Sequence, residues 1–179
     1  MDKPRMTISG ILIKTVVTHS VTYFFIGWSA YSFFSHVSLP GGGGPDPFMR
    51  LITDPLVRSA TALQVIRGLL FGIVFWLLRE PLFGRKNGGA VLWLTLVVLG
   101  ILGTFGPVTG SLEGMFFTTR PLLGHLYGLP EILLQSLFLS LILFYWINHP
   151  RKGWFSWIMG VVYTLIIIVT ILGLIINAA

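Results

Sequence analysis

Arg67 is the side chain in this sequence whose position most strongly suggests chemistry. It stands within the apolar run "LQVIRGLLFG", residues 63–72. If a helix enters a membrane near Ala60, a rise of about 1.5 Å per residue places Arg67 about 10 Å deep. An arginine near the bilayer centre costs about 2.5–3.5 kcal/mol and needs a partner. We therefore consider two roles for Arg67, a structural contact or a site that binds an anion or handles a proton.

Four other polar side chains lie at depths compatible with a contact to Arg67. Gln64 is one turn away on the same helix face. Glu131 and Gln135 are four residues apart on another apolar segment, and His19 lies on a third. Glu131 also lies in the first turn of its helix, where the helix dipole favours a carboxylate whatever its role. The sequence predicts one buried polar network, with His19 as a neighbour, that consists of Gln64, Arg67, Glu131 and Gln135.

An acid–base group on an outer loop would give a different chemistry. Glu113, Arg120 and His125 are close together in the sequence, and Glu131 follows them. Together they could act on a lipid at the membrane surface. The chain lacks the glycine–serine–glycine motif of a nucleophile elbow and any phosphate-binding loop. The sequence therefore identifies these residues as candidates without a catalytic motif.

Patterns that bind metals or cofactors are not found in the sequence. The chain has no cysteine, which removes disulfides and thiolate metal ligands from consideration. His19 is the single histidine at mid-membrane depth, so two axial histidines cannot face each other across a haem within one chain. No spacing of carboxylates and histidines suggests a metal site. The sequence identifies no cofactor and no metal ligand.

Composition places these residues in a membrane protein. Charged residues make up 10% of the 179-residue chain and hydrophobic residues 54%, and the mean hydropathy is +0.85. Soluble domains carry about 25% charged residues. The net charge of +6 marks the cytoplasmic side of a bilayer rather than a surface for nucleic acid. We predict an all-α, polytopic helical bundle that forms a single transmembrane domain over residues 1–179, with membrane lipids as partners.

Apolar stretches about 20 residues long predict the spans, because a bilayer core is about 30 Å thick. About five such stretches occur, the third of them short. Small residues at spacing four predict close helix packing; these pairs are Gly68 with Gly72, Ser136 with Ser140, and Gly160 with Thr164. The expected helices cover residues 8–34, 55–78, 90–105, 130–148 and 154–177, and the outer-face loops cover residues 35–54 and 106–129.

Basic residues predict the orientation of the bundle through the positive-inside rule. With five spans, three short basic segments fall on one side of the membrane, which places the amino terminus inside and the carboxyl terminus outside. A bacterial inner membrane is the expected location. The inner residues are Lys3, Arg5, Arg79, Arg85, Lys86, Arg151 and Lys152, and the outer ones are Arg50, Arg58 and Arg120.

The outer loop 106–129 is apolar for a loop, with Met115, Phe116, Phe117 and Leu123 in it. We expect it to lie along the outer interface or to dip back into the bundle, where its backbone would be shielded by protein. The simplest interpretation is that this loop covers the bundle and binds no ligand.

Three functions remain open. The first is a non-catalytic multi-pass membrane protein, either an accessory subunit of a membrane complex or a binder of a lipidic ligand. The second is a small oligomeric transporter or channel that uses Arg67. The third is a membrane-embedded enzyme that acts on lipids at the outer face. A protein partner or a homo-oligomer is expected in the first two cases.

Overall fold

Helices make up all the regular structure that is described. The computed structural model describes residues 6–34, 54, 57 and 59–176. Four of its segments are long and apolar enough to cross a membrane, and a shorter apolar segment, Gly88–Leu102, accompanies them. The predicted all-α bundle of about five spans is confirmed. The helices are α1 (Ile8–Phe34), α2 (Ala60–Leu77), α3 (Arg79–Phe83), α4 (Gly88–Val97, continued by a π-helix over Val98–Leu102), α5 (Leu112–Phe117), α6 (Leu122–Tyr127), α7 (Leu129–Asn148) and α8 (Gly153–Ile176).

The helix bounds differ from the expected ones by more than two residues in two of the spans, the second and the third, for which 90–105 was expected and Gly88–Leu102 is found. The expected second helix began at residue 55, whereas α2 begins at Ala60 with Ser59 as its N-cap, and residues 55, 56 and 58 lie outside the described residues. The third span is a ten-residue α-helix followed by five residues of π-helix. The expected outer loop 35–54 lies outside the described residues except for Asp54, as do Lys3, Arg5, Arg50 and Arg58.

Helix α1 is the centre of the bundle. It packs against α2, α7 and α8, while α4 packs against α7. Half of the α1 span is buried, compared with 22% of the spans that contain α2 and α7 and 11% of α8. The most buried helix is also rich in polar side chains, which are at most 3% exposed. These are Thr15, Thr18, His19, Ser20 and Thr22.

Two apolar clusters surround α1. One joins the amino-terminal part of α1 to α2, α3, α4 and α7, and it includes Ile11, Phe75 and Leu143. The other joins α1 to α7 and α8, and it includes Val17, Trp146 and Met159. Helix α1 is thereby fixed from several sides, so the polar residues on it have defined surroundings.

Glycines in α2 allow the α1 and α2 backbones to approach closely. A Cβ atom added at Gly68 would lie 2.8 Å from the Val16 Cα, and one added at Gly72 would lie 3.1 Å from the Leu12 Cα. The sequence predicted close packing at this pair, and its partner is α1. Gly160 differs, because a Cβ atom added there would have no neighbour within 4 Å.

The segment between α4 and α7 forms two short helices, α5 and α6. Ser111 caps α5 by accepting a 2.9 Å hydrogen bond from the Gly114 N–H. Several large apolar side chains of the segment are exposed, including Phe116 and Leu123. Exposed apolar side chains of this size suit a segment that lies at a membrane interface.

Candidate ligand-binding cleft

Arg67 lies on α2 and faces a narrow cleft between α1, α2, α4 and α7. We call it the Arg67 cleft; its lining residues are His19, Arg67, Phe71, Leu96, Gly100, Ile101, Ile132, Gln135, Ser136 and Leu139. The guanidinium carbon lies 5.5 Å from the centroid of the Phe71 ring. Arg67 is exposed and forms no hydrogen bond or ion pair with the described part of the chain.

The predicted contact between Arg67 and Glu131 is not formed as an ion pair, whereas Arg67, Gln135 and His19 line one cleft and Gln64 binds His19. Within residues 6–34 and 59–176, no ion pair joins the two side chains. Glu131 faces the carboxyl-terminal part of α1, where its Oε1 is 3.9 Å from the position of a Cβ atom added at Gly27.

His19 and Gln64 form a buried pair instead. The His19 Nε2 and the Gln64 Oε1 are 3.0 Å apart. The Gln64 amide nitrogen donates to the Ala60 carbonyl at 3.1 Å, so its oxygen faces the imidazole and the His19 Nε2 is the donor. A neutral imidazole then carries a lone pair on Nδ1, and this atom is buried without a hydrogen-bond partner. His19 is only 2% exposed, and its ring packs edge-on against Phe71 at 5.2 Å.

The Arg67 cleft is small and has mostly apolar walls. Its volume is about 50 Å³, and by the same measure a cavity needs about 10–15 Å³ to hold one water molecule. The cleft therefore has room for a phosphate or a carboxylate and not for a whole lipid. The Gln135 side chain also lines it and makes no hydrogen bond with the residues that the structure describes. The cleft thus combines a cation and a free amide.

The π-helix after α4 contributes one wall of the cleft. The Gly103 N–H donates to the Val98 carbonyl at 2.8 Å, which is the five-residue spacing of a π-helix. Gly100 and Ile101, within this turn, line the cleft. Such π-turns are rare and are often found at functional sites. The sequence did not predict this π-turn, although a glycine within an unusually short span was a signal for it.

The three outer-loop candidates do not form an acid–base group. His125 is 1% exposed; its Nδ1 accepts from the Gly110 N–H at 3.2 Å, and its Nε2 donates to the Thr118 hydroxyl at 3.0 Å. Thr118 in turn donates to the Gly114 carbonyl. Both imidazole nitrogens are therefore used to hold the loop backbone, which leaves His125 no lone pair with which to accept a substrate proton.

Neither Glu113 nor Arg120 forms a hydrogen bond with this imidazole, whose two nitrogens bind Gly110 and Thr118. Glu113 is exposed and makes no hydrogen bond with the described residues. Arg120 packs against Gly124, where an added Cβ atom would lie 3.1 Å from the Arg120 Cγ. The described segments contain no group of three histidine or acidic residues that could hold a metal ion. The loop is therefore a folded segment in which Glu113 and Arg120 form no hydrogen bond with His125.

Arg67 and Glu131 provide a direct test of this separation. Arg67→Leu and Glu131→Leu should change the free energy of unfolding additively, to within about 0.5 kcal/mol, because the two side chains share no contact. Thermal unfolding of the two single mutants and the double mutant in detergent would measure this. A double mutant that is several kcal/mol more stable than the sum predicts would show that the two charges are paired.

Comparison with known proteins finds no match: no family model, no curated protein and no solved structure is significantly similar to this chain.

Proposed function

We propose that this chain is a non-catalytic, multi-pass protein of a bacterial inner membrane that binds the anionic headgroup of a lipid-like ligand in the Arg67 cleft. The observation that carries the proposal is Arg67 itself. This arginine lies within an apolar span, faces a cleft and has no acceptor among the described residues. An anion supplied by a ligand would complete the site.

The contact between Arg67 and Phe71 does not replace an anionic ligand. A cation over an aromatic face gains about 0.5–2 kcal/mol, whereas an arginine at the centre of a span costs about 2.5–3.5 kcal/mol. The guanidinium also carries five N–H donors. The face of the Phe71 ring does not accept hydrogen bonds from them as an oxygen atom would. A carboxylate or phosphate would accept two of these donors in parallel and neutralise the charge.

The shape of the site indicates how a ligand would be bound. A cleft of about 50 Å³ admits a headgroup, so the acyl chains would remain in the bilayer. Helix α2 offers them an apolar surface, because Leu63, Ile66 and Leu70 are exposed. Beside Arg67, the free Gln135 amide would select a headgroup that also carries hydroxyl groups.

The proposed orientation places the amino terminus inside. Arg79, Arg85 and Lys86 follow α2, and Arg151 and Lys152 precede α8, so these basic residues would meet the cytoplasmic surface. Exposed tryptophans at the start of α8, Trp154 and Trp157, suit the same boundary. In this orientation α2 runs from outside to inside, and Arg67 would be reached from the outer leaflet.

Arg67→Gln tests the function. The protein would be purified from nanodiscs that contain equal amounts of phosphatidylglycerol and phosphatidylcholine, and retained lipid would be counted by native mass spectrometry. Wild-type protein should retain phosphatidylglycerol, and Arg67→Gln should retain at least tenfold less, because glutamine cannot neutralise the phosphate. The same spectra would show a co-purifying subunit or a second copy of the chain.

The matched control is Arg85→Gln, because Arg85 is exposed in the loop before α4. It should retain as much phosphatidylglycerol as the wild type. Equal retention by wild type and Arg67→Gln would refute the proposal.

A further inference from the structure

A second and larger cavity lies near the carboxyl-terminal part of α1, beyond the His19–Gln64 pair. It is bordered by α1, the start of α2 and the junction of α6 with α7, and its volume is about 530 Å³. Four of its lining residues are aromatic and one is acidic. We call it the aromatic cavity. The aromatic residues are Tyr23, Phe24, Trp28 and Tyr127, and the acidic residue is Glu131.

Glu131 brings a negative charge to this cavity without a partner. It is partly buried, and it makes neither a hydrogen bond nor an ion pair with any residue in the described ranges. Gly27 on α1 faces it, and a Cβ atom at Gly27 would lie 3.9 Å from the Glu131 Oε1. The absence of a side chain at Gly27 therefore keeps open the space beside the carboxylate.

The combination of aromatic rings and one carboxylate points to a class of ligand. Aromatic faces attract cations, tryptophan most strongly, and aromatic cages recognise quaternary ammonium groups. A single carboxylate matches a single positive charge. A calcium ion would need six to eight oxygen ligands, and the described segments contain no cluster of acidic or histidine residues that could hold a metal. An organic monocation fits the cavity better than a metal ion.

We propose that the aromatic cavity binds an ammonium group, with Glu131 as its counter-charge and the rings of Tyr23, Trp28 and Tyr127 as its walls. The ammonium group belongs either to a lipid headgroup or to a soluble organic cation. This site is distinct from the Arg67 cleft, and it selects the opposite charge. Glu131 precedes Gln135 by four residues on α7, so the two sites are offset by about 6 Å along that helix.

The test uses two probes on the purified full-length protein. Radiolabelled choline in equilibrium dialysis measures binding of a soluble cation. Nanodiscs of equal phosphatidylcholine and phosphatidylglycerol, followed by native mass spectrometry, measure binding of a lipid headgroup. Wild type should bind at least one probe saturably, and Glu131→Gln should weaken that binding at least tenfold because the variant keeps the shape and loses the charge.

Three further variants make the result specific. Glu113→Gln removes an exposed carboxylate of the outer segment and should bind like wild type. Gly27→Leu keeps the charge, fills the space beside Glu131 and should block binding, whereas Gly27→Ala should preserve it. Arg67→Gln should also preserve ammonium binding, which separates this proposal from the one on the Arg67 cleft.

Each outcome decides the proposal. Choline binding that Glu131→Gln abolishes supports a soluble cation as the ligand, and retained phosphatidylcholine without choline binding supports a lipid headgroup. If wild type binds neither probe, or if Glu131→Gln and Gly27→Leu both bind like wild type, the aromatic cavity is not an ammonium site.

Discussion

Gly68→Val should lower the free energy of unfolding by about 3 kcal/mol, at the upper end of the usual cost of overpacking. The added Cβ atom would lie 2.8 Å from the Val16 Cα, which is a backbone atom and cannot rotate away. Helices α1 and α2 would have to separate. Because α1 also contacts α7 and α8, a shift of α1 would disturb both apolar clusters. Thermal unfolding in detergent, followed by circular dichroism, would measure the loss.

Gly173→Val is the matched control for this prediction. It makes the same substitution inside a helix, in α8, where no atom lies within 4 Å of the added Cβ position. Its cost should be limited to the difference in helix propensity, which for a β-branched residue in place of glycine is small or favourable. Equal losses in the two variants would show that the close approach of α1 and α2 does not exist.

The spans were predictable from the sequence because bilayer thickness fixes their length. An apolar stretch of 20 residues or more has few alternatives even when it contains one charge, and the expected helix over residues 8–34, which contains Lys14, has the bounds Ile8–Phe34 in the structure. The close packing at Gly68 and Gly72 was predictable for a similar reason, since small residues at spacing four form a smooth face. The identity of the partner helix was not encoded in that spacing.

The contacts among the buried polar side chains were not predictable, because the helix rise gives the depth of a residue in the membrane but not the direction in which its side chain points. The helix rise placed Arg67 and Glu131 at depths within reach of each other. Which way each side chain points depends on how its helix is rotated in the bundle, and apolar residues surround these helices on all sides. The central position of α1 was also hidden, since its polar residues would suit a water-filled pore or a buried core equally well. In the described residues no ion pair joins Arg67 and Glu131.

The outer segment shows a similar limit. The order of Glu113, Arg120 and His125 in the sequence suggested an acid–base group, whereas the fold uses His125 to bind the Gly110 N–H and the Thr118 hydroxyl. Gly110 adopts a positive φ of 88°, a conformation that glycine tolerates without strain. A histidine that satisfies a loop backbone and a catalytic histidine have the same appearance in a sequence, and only the hydrogen bonds distinguish them.

The His19–Gln64 pair carries the second large effect. Gln64→Leu should destabilise the protein by about 1–3 kcal/mol, because it leaves the His19 Nε2–H buried without an acceptor. The other ring nitrogen already lacks a partner, so the imidazole would lose its single hydrogen bond. His19→Leu should cost a similar amount, since it strands the Gln64 oxygen beside the buried face of α1. Thermal unfolding in detergent would report both changes.

The double mutant separates a hydrogen bond from simple packing. If His19 and Gln64 stabilise each other, the variant that carries both leucines should be more stable than the sum of the single losses predicts, by about 0.6–1.7 kcal/mol for a hydrogen bond between membrane helices. Gln135→Leu is the control, because Gln135 has no hydrogen bond to lose within the described residues, and it should change stability little. Strict additivity would mean that the contact at 3.0 Å contributes nothing, and that the position of His19 beside the Arg67 cleft is set by the apolar packing of α1 alone.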